Sequence, residues 1–391
     1  MGAKTGIEWT DATWNPLRGC SRVSEGCRNC YAEKVAYRFS GEGQPYEGLA
    51  VLKNGHASWT GKVELVEKHL LDPLKWRPVR VHQSGCTKAL GPQAGCSCFG
   101  DGKHATRPRR IFVNSMSDLF HENVSWEWTN KIFAVMALSP RHTFQILTKR
   151  PEVMRQYIES IGNGAKDDKW FLQGAADGLV DNCGVLEDHP WPLPNVWLGV
   201  STENQEAADK RIPLLLQTPA CVRFISAEPL LGPVDLSIIP RPFEFHQSPY
   251  GWDKWLAKKL HWVICGGESG TGARPMHPDW ARTLRDQCNA SQVPFFFKQR
   301  GEWSEVGGGL PHRTHDVDHS PLDMTVPIDS TNCVLSVDGH RPTAQGDMHP
   351  GVPYRWLSRI GKRAAGAILD GIEHRSFPVA RVKEGALHEG S

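Results

Sequence analysis

From Arg110 onward the chain repeats one pattern: a short run of β-branched or aromatic residues, a polar tip, then a stretch with helical spacing. The runs are Ile111–Ser115, Phe144–Thr148, Val196–Ser201, Val222–Ser226, Trp262–Gly266 and Phe295–Lys298. Strands set roughly thirty residues or more apart by helices do not pair through tight hairpins; they need crossover connections, and so a parallel sheet. Two of the helices are plain to read. Pro151 opens one carrying Met154, Tyr157, Ile158 and Ile161, and Pro278 opens another with Trp280, Leu284 and Cys288 at i, i+4 and i+8. The pattern predicts an α/β fold, a (β/α) barrel of six to eight strands, complete or incomplete.

The ends of these runs carry residues able to bind or react: Ser117 and Asp118, Lys149 and Arg150, Thr202 and Glu203, Glu228, Glu268 and Ser269, Lys298 and Gln299. In a barrel the carboxyl ends of the strands share one face, where active sites are built. A strand that reaches water ends polar anyway, so a single such end means little. Six in succession favour a site.

A chain of 391 residues, 39% apolar, has ample material for a large core. No apolar run is long enough to span a bilayer and no basic-then-apolar leader opens the sequence, so a soluble, cytoplasmic protein with no membrane partner is expected. With 45 basic against 43 acidic side chains the net charge is +2. Bulk charge makes no case for nucleic acid, although a local patch stays open. Residues 79–108, 163–194 and 238–258 interrupt the pattern as insertions. The expected organisation is a barrel over residues 1–302, a Cys-rich insertion at 79–108 within it, and a C-terminal extension over 303–391. That extension is expected to end in a helix near Pro353–Leu369, with Arg355, Arg359, Lys362 and Arg363 on or near one face.

Upstream, a different signal dominates. Three of eleven cysteines, Cys20, Cys27 and Cys30, fall within eleven residues as C-x6-C-x2-C, on a stretch with Pro16, Gly19 and Gly26 that leads into a helical segment, Tyr31–Phe39. An odd number of cysteines, partly clustered and partly single, argues for metal ligands and buried thiols over a secreted disulfide framework. A structural zinc needs a fourth ligand, and none is close in sequence. Three thiolates suit a [4Fe–4S] cluster with one iron left open for a substrate. A zinc knuckle completed by a distant His or Cys is the alternative. Cys86, Cys96 and Cys98, flanked by His82 and His104, form a second group, with structural zinc and unbound thiols equally open.

The runs Gly6–Thr10, Thr13–Pro16, Gly26–Glu33, Asn114–His121 and Gly266–Gly270 resemble the phage-associated three-Cys-motif proteins, a family of largely undefined function that is similar to radical S-adenosylmethionine (SAM) enzymes. The resemblance runs with gaps from about residue 5 to 302 and returns weakly near Gly361–Gly366. It implies a radical-SAM-like barrel whose cluster reductively cleaves SAM, an electron-donor protein as partner, and a substrate hydrogen as target. The phage setting points by association to a nucleotide or nucleic-acid substrate. The common radical-SAM spacing is C-x3-C-x2-C, so the first gap here is longer. Gly266-Gly267-Glu268 is similar to the element that holds the methionine end of SAM, but it follows a late strand instead of an early one. The early place is filled by Ser115, Ser117 and Asp118, candidates for the SAM ammonium or ribose hydroxyls.

Asp118 is also readable as a turn cap. Glu203 is a further candidate for SAM, and Glu228, Glu268 and Lys298 for catalysis. Lys149, Arg150, Lys298 and Arg300 either hold an anion or pair with Glu203, Glu228 and Glu268 in a structural network. His121 and Glu122 are candidates for proton transfer. Two rivals remain: a non-catalytic zinc or iron–sulfur protein that binds a partner protein or nucleic acid, and a hydrolase using Glu228 and Glu268 as a carboxylate pair.

Overall fold

The computed structural model describes residues 5–81, 105–162, 170–181, 183–184, 189–239, 252–305, 330–343, 347–349 and 351–378. Seven strands form its main sheet: β1 Ala12–Trp14, β2 Arg109–Val113, β3 His142–Thr148, β4 Val196–Ser201, β5 Val222–Ala227, β6 Trp262–Gly266 and β7 Phe295–Gln299. They lie in sequence order, parallel, with β1 and β7 as the two edges, an arrangement compatible with a (β/α)-barrel-like fold. Six of the strands fall on the runs read above. The seventh, β1, pairs Ala12 with Ile111 and Trp14 with Val113. Helices between the strands include α1 Tyr31–Arg38, α2 Trp126–Ala137, α3 Pro151–Gly162, α4 Gln205–Gln217 and α5 Pro278–Ala290. No helix among the described residues is long and apolar enough to cross a membrane.

The chain divides into two compact units, one of Met1–Ser21, Ala32–Thr148 and Gln156–Trp197, the other of Arg22–Tyr31, Lys149–Arg155 and Leu198–Ser391. In the first, Trp14 packs on Phe144 with ring centroids 5.7 Å apart, and Tyr157 meets Phe133 at 5.0 Å. The helix α2 begins where Ser125 turns its hydroxyl to accept the Trp128 N–H, a serine N-cap.

In the second unit Trp262 lies between Phe224 and Phe296, with centroids 5.7 and 6.0 Å away. Gly199 on β4 makes room for this cluster, since a Cβ there would come within 2.5 Å of the Phe224 ring. The free edge of β7 is covered by the segment from His374 to Ser376: the Phe297 N–H donates to the His374 carbonyl and the Ser376 N–H to that of Phe295. An edge left bare would invite pairing with other chains.

One local expectation changes. The segment near Pro353–Leu369 is a strand, Tyr354–Arg359, followed by a four-residue helix, Lys362–Ala365. The strand pairs antiparallel with Trp303–Glu305 on one side and Asn332–Ser336 on the other. Tyr354 and Leu357 are buried and Arg355 is exposed, so Arg355 and Arg359 stand on a strand and not along one face of a helix. Two short helices, Glu67–Leu70 and Asp72–Lys75, are separated where Pro73 starts a new first turn. The two-residue strand Glu64–Leu65 pairs antiparallel with Leu17–Arg18.

Candidate active site

The second unit holds the stretch from Arg22 to Tyr31, which includes Cys27 and Cys30. Glu25–Cys27 form a single 3-10 turn, the Cys30 N–H donates to the Cys27 carbonyl at 3.2 Å, and α1 starts at the next residue. Neither thiol is in a disulfide, and both residues are half-buried.

Arg274 fastens this turn to the loop after β6. Its Nε and Nη2 donate to Glu268 Oε2 and Oε1 at 2.9 and 2.6 Å, and its own backbone N–H adds a bond to Oε2 at 2.8 Å. The same guanidinium reaches back to the Glu25 carbonyl at 3.0 Å and the Glu25 carboxylate at 3.3 Å. From the other direction Asn29, between the cysteines, donates to Glu268 Oε2 and to the Gly272 carbonyl, each at 2.8 Å. Glu268 is 6% exposed, and four donated hydrogen bonds fill its two oxygens. Burial alone raises its pKa, but the bonds from Arg274 and Asn29 outweigh that and hold it below the usual range.

A second carboxylate lies under the same turn. Gly26 sits so close to Glu203 that a Cβ there would come within 2.9 Å of its carboxyl carbon. Glu203 is 2% exposed and accepts from Arg211 Nη1 at 2.8 Å; Arg211 also donates to the Ser201 carbonyl at 2.8 Å. Burial pushes its pKa up, yet Lys149, Arg211 and a bond from the Ser24 side chain hold it below normal. The third carboxylate, Glu228, accepts from Lys298 Nζ at 2.7 Å, with 18% and 14% of the two side chains exposed. Glu203, Glu228 and Glu268, read from the sequence as candidates for binding or catalysis, are therefore members of ion pairs. Lys298 was one of the cations named for that role. Arg211 and Arg274 were not, and neither was Asn29.

The two glycines before Glu268 are also filled from within. A Cβ on Gly267 would fall 2.0 Å from the Arg300 carbonyl oxygen, and one on Gly266 would lie 3.4 Å from the Glu228 carboxyl carbon. At Gly267 the close approach that glycine permits is made by the chain's own backbone. Arg300 donates to the Ile368 carbonyl at 3.1 Å.

The first unit carries Cys20 and the strand end after β2. Cys20 is half-buried and not in a disulfide, with its thiol 3.4 Å from the Ser21 carbonyl. Ser21 Oγ is 2.9 Å from His121 Nε2 and donates to Glu122 at 3.1 Å. Because His121 Nδ1 accepts the Asn123 N–H, Nε2 carries the proton in the neutral ring and is the donor toward Ser21. Asn114 stands at φ 60° and accepts the Leu17 N–H, joining the ends of β1 and β2. Ser115 donates to Asn15 at 3.1 Å. Asp118 accepts from the Phe120 N–H at 3.0 Å and from Thr148 at 2.7 Å, the turn-capping geometry weighed above. The hydroxyl of Ser117 is buried and makes no hydrogen bond within the protein.

Among the described residues, no three His, Cys, Asp or Glu side chains converge to hold one ion. Thiolates are the donors that hold iron–sulfur clusters, and the N-terminal stretch offers three by residue type. Cys86, Cys96 and Cys98, with His82 and His104, lie outside the described residues.

A family model for proteins of unknown function, DUF5131, matches residues 4–378, and the chain belongs to that family. No curated protein and no solved structure matches it.

Proposed function

We propose that this member of the DUF5131 family is a [4Fe–4S] enzyme of the radical-SAM kind, with Cys20, Cys27 and Cys30 as cluster ligands. The observation that carries the reading is the clamp on the Cys27–Cys30 turn. Arg274, Asn29 and Glu268 fix that turn to the loop after β6, and Gly26 rests on the buried Glu203. A purely structural loop does not call for three thiols within eleven residues, none of them in a disulfide, nor for two buried carboxylates tied to the turn that carries two of them. Ligands that must not shift when an electron arrives do need such support.

When bound, such a cluster supplies an electron to SAM and offers its open iron to the SAM amino and carboxylate groups. The chain's own residues then divide the remaining work. Arg274 and Arg211 keep Glu268 and Glu203 ionised beneath the loop, so that the loop keeps one position. Ser117, whose hydroxyl has no protein partner, is the donor available to a polar group of SAM. The Glu228–Lys298 pair presents a carboxylate and an ammonium, 2.7 Å apart, that orient a polar substrate. The electron comes from a separate donor protein.

The test is SAM cleavage. Reconstituted anaerobically and reduced with dithionite, the protein should release 5′-deoxyadenosine and methionine in equal amounts. Ser117→Ala should weaken SAM binding by roughly tenfold with the cluster spectrum unchanged. A reconstituted protein that carries the cluster and neither binds nor cleaves SAM overturns the proposal in favour of a non-catalytic metal protein.

A further inference from the structure

At the amino-terminal edge of β2 and β3, in the first unit, cations gather without carboxylates to match. Arg109 opens β2 and stands in register with His142, the first residue of β3, which Arg141 precedes. The carbonyls of the segment from Pro73 to Arg77 tie these residues together. Arg109 Nε donates to the Arg77 carbonyl at 3.0 Å, Arg141 Nε and His142 Nε2 to that of Trp76 at 3.2 and 3.1 Å, and Arg141 Nη2 to that of Leu74. Arg77, Arg109 and Arg141 therefore share one patch, and Lys75 lies on the same segment. Lys75, Arg77 and Arg141 are exposed, and Arg109 is half-buried. Among the described residues none of these four, nor Arg80, pairs with a carboxylate. Of the acids on the neighbouring segments, Asp11 is taken by Arg107 and Arg110 and Asp72 by His69, which leaves Glu8 and Glu67. The excess is felt at His142, whose pKa is lowered by burial and pushed the same way by the charges of Arg141 and Arg109.

Arg109 and Arg141 each spend part of the guanidinium on backbone oxygens, which fixes its plane and leaves N–H groups for an outside acceptor. A fixed fork of this kind fits the paired oxygens of an anion. The surrounding surface says which anion. Among the described residues no large apolar side chain between Lys53 and Ser125 is exposed. A protein interface buries an apolar or aromatic core, and a lipid surface takes apolar anchors, whereas a phosphodiester backbone asks for neither. Trp76, the one ring on the segment, is half-buried and not presented for stacking on an unpaired base. That favours the denser charge of a duplex over a single strand. We infer that this edge binds a nucleic-acid duplex through its phosphates, without reading its sequence. The inference goes beyond the proposed reaction, because none of these residues is a proposed ligand of the cluster or of SAM.

The test is fluorescence anisotropy on the full chain with a labelled DNA duplex of about 20 base pairs and its separate strand as competitor, at about 50 and 200 mM salt. The duplex should bind, resist displacement by the single strand, and lose about tenfold or more in affinity at the higher salt. Lys75→Ala/Arg77→Ala removes side chains that hold no hydrogen bond or ion pair among the described residues. It should bind roughly tenfold more weakly at the lower salt and reduce the logarithmic salt slope by roughly 0.9 for each cation removed. Lys53→Ala/Arg363→Ala, the same loss of charge at exposed positions outside the patch, should stay within about twofold of the wild type. Cys27→Ala, without metal, should bind as the wild type does, which separates this inference from the proposed activity. Absence of duplex binding at the lower salt overturns it, as does an equal loss in the two double variants or a preference for the single strand. Displacement of the duplex by polyglutamate of equal charge would assign the arginines to an acidic protein and overturn it equally.

Discussion

Within one unit of this protein, cysteine occurs in two opposite settings. Cys265 on β6 and Cys288 on α5 are buried at 0% exposure, and burial drives both thiols far from ionisation; for Cys265, the neighbouring Cys288 and Glu228 push the same way. Cys27 and Cys30 are half-exposed on a turn held by four polar neighbours. The first pair behaves as small apolar residues that fill a strand–helix contact. The second pair is kept out of the core, where solvent and a metal can reach it. The residue type alone would not have separated them.

Thiol labelling sharpens this contrast most. In metal-free, reduced, folded protein, an alkylating reagent should modify Cys27 and Cys30 on the order of a hundredfold faster than Cys265 and Cys288, which should react only on denaturation. Mass spectrometry of timed samples measures it, and equal rates for the two pairs would erase the distinction.

Arg274→Ala comes next. It leaves the buried Glu268 carboxylate with Asn29 as its remaining side-chain donor and frees the turn, at a cost of about 3 kcal/mol by denaturant unfolding. Arg274→Lys should recover part of that and not the forked contact. The pKa of Glu268 is depressed, so its contribution is present above the ordinary carboxylate pKa and is lost as pH falls through the depressed one. The alanine variant should lack that acid-sensitive part, and an unchanged acid profile would remove Arg274 from the account.

The smallest effect concerns a buried group that has no clamp. His277, the N-cap of α5, is fully buried, its Nδ1 accepts the Asp279 N–H, and burial lowers its pKa to about 4. Between its ordinary pKa and about 4 the unfolded chain holds more protons, so stability falls as the solution is acidified through that window, by about 2 kcal/mol. His277→Asn, which keeps a capping acceptor and does not titrate there, should flatten the curve between pH ~6.5 and ~4.

The strands were legible because each packs a run of β-branched or aromatic residues, and such runs announce themselves one residue at a time. β1 did not, because three residues, Ala12–Trp14, carry too little pattern and take their place from pairing with β2. The strand Tyr354–Arg359 was misread because its cations also fit helical spacing, and its pairing with Asn332–Ser336 is invisible locally. The carboxylates at the strand ends could be named from sequence. Their partners Arg211 and Arg274, eight and six residues further along, could not, since spacing does not say which cation turns inward. Asn29 had a faint signal, a small amide between two cysteines. The glycine at Gly267 was read as room for a ligand, whereas the room is used by Arg300, which lies distant in sequence and was not foreseeable.

The cluster assignment is tested most directly by the iron and sulfide content of protein reconstituted without oxygen. The account predicts about four of each per chain in the wild type and in Cys265→Ala and Cys288→Ala, with most of both lost in Cys20→Ala, Cys27→Ala and Cys30→Ala. Full iron retention in those last three variants, or a colourless zinc protein in place of the wild-type cluster, would contradict it.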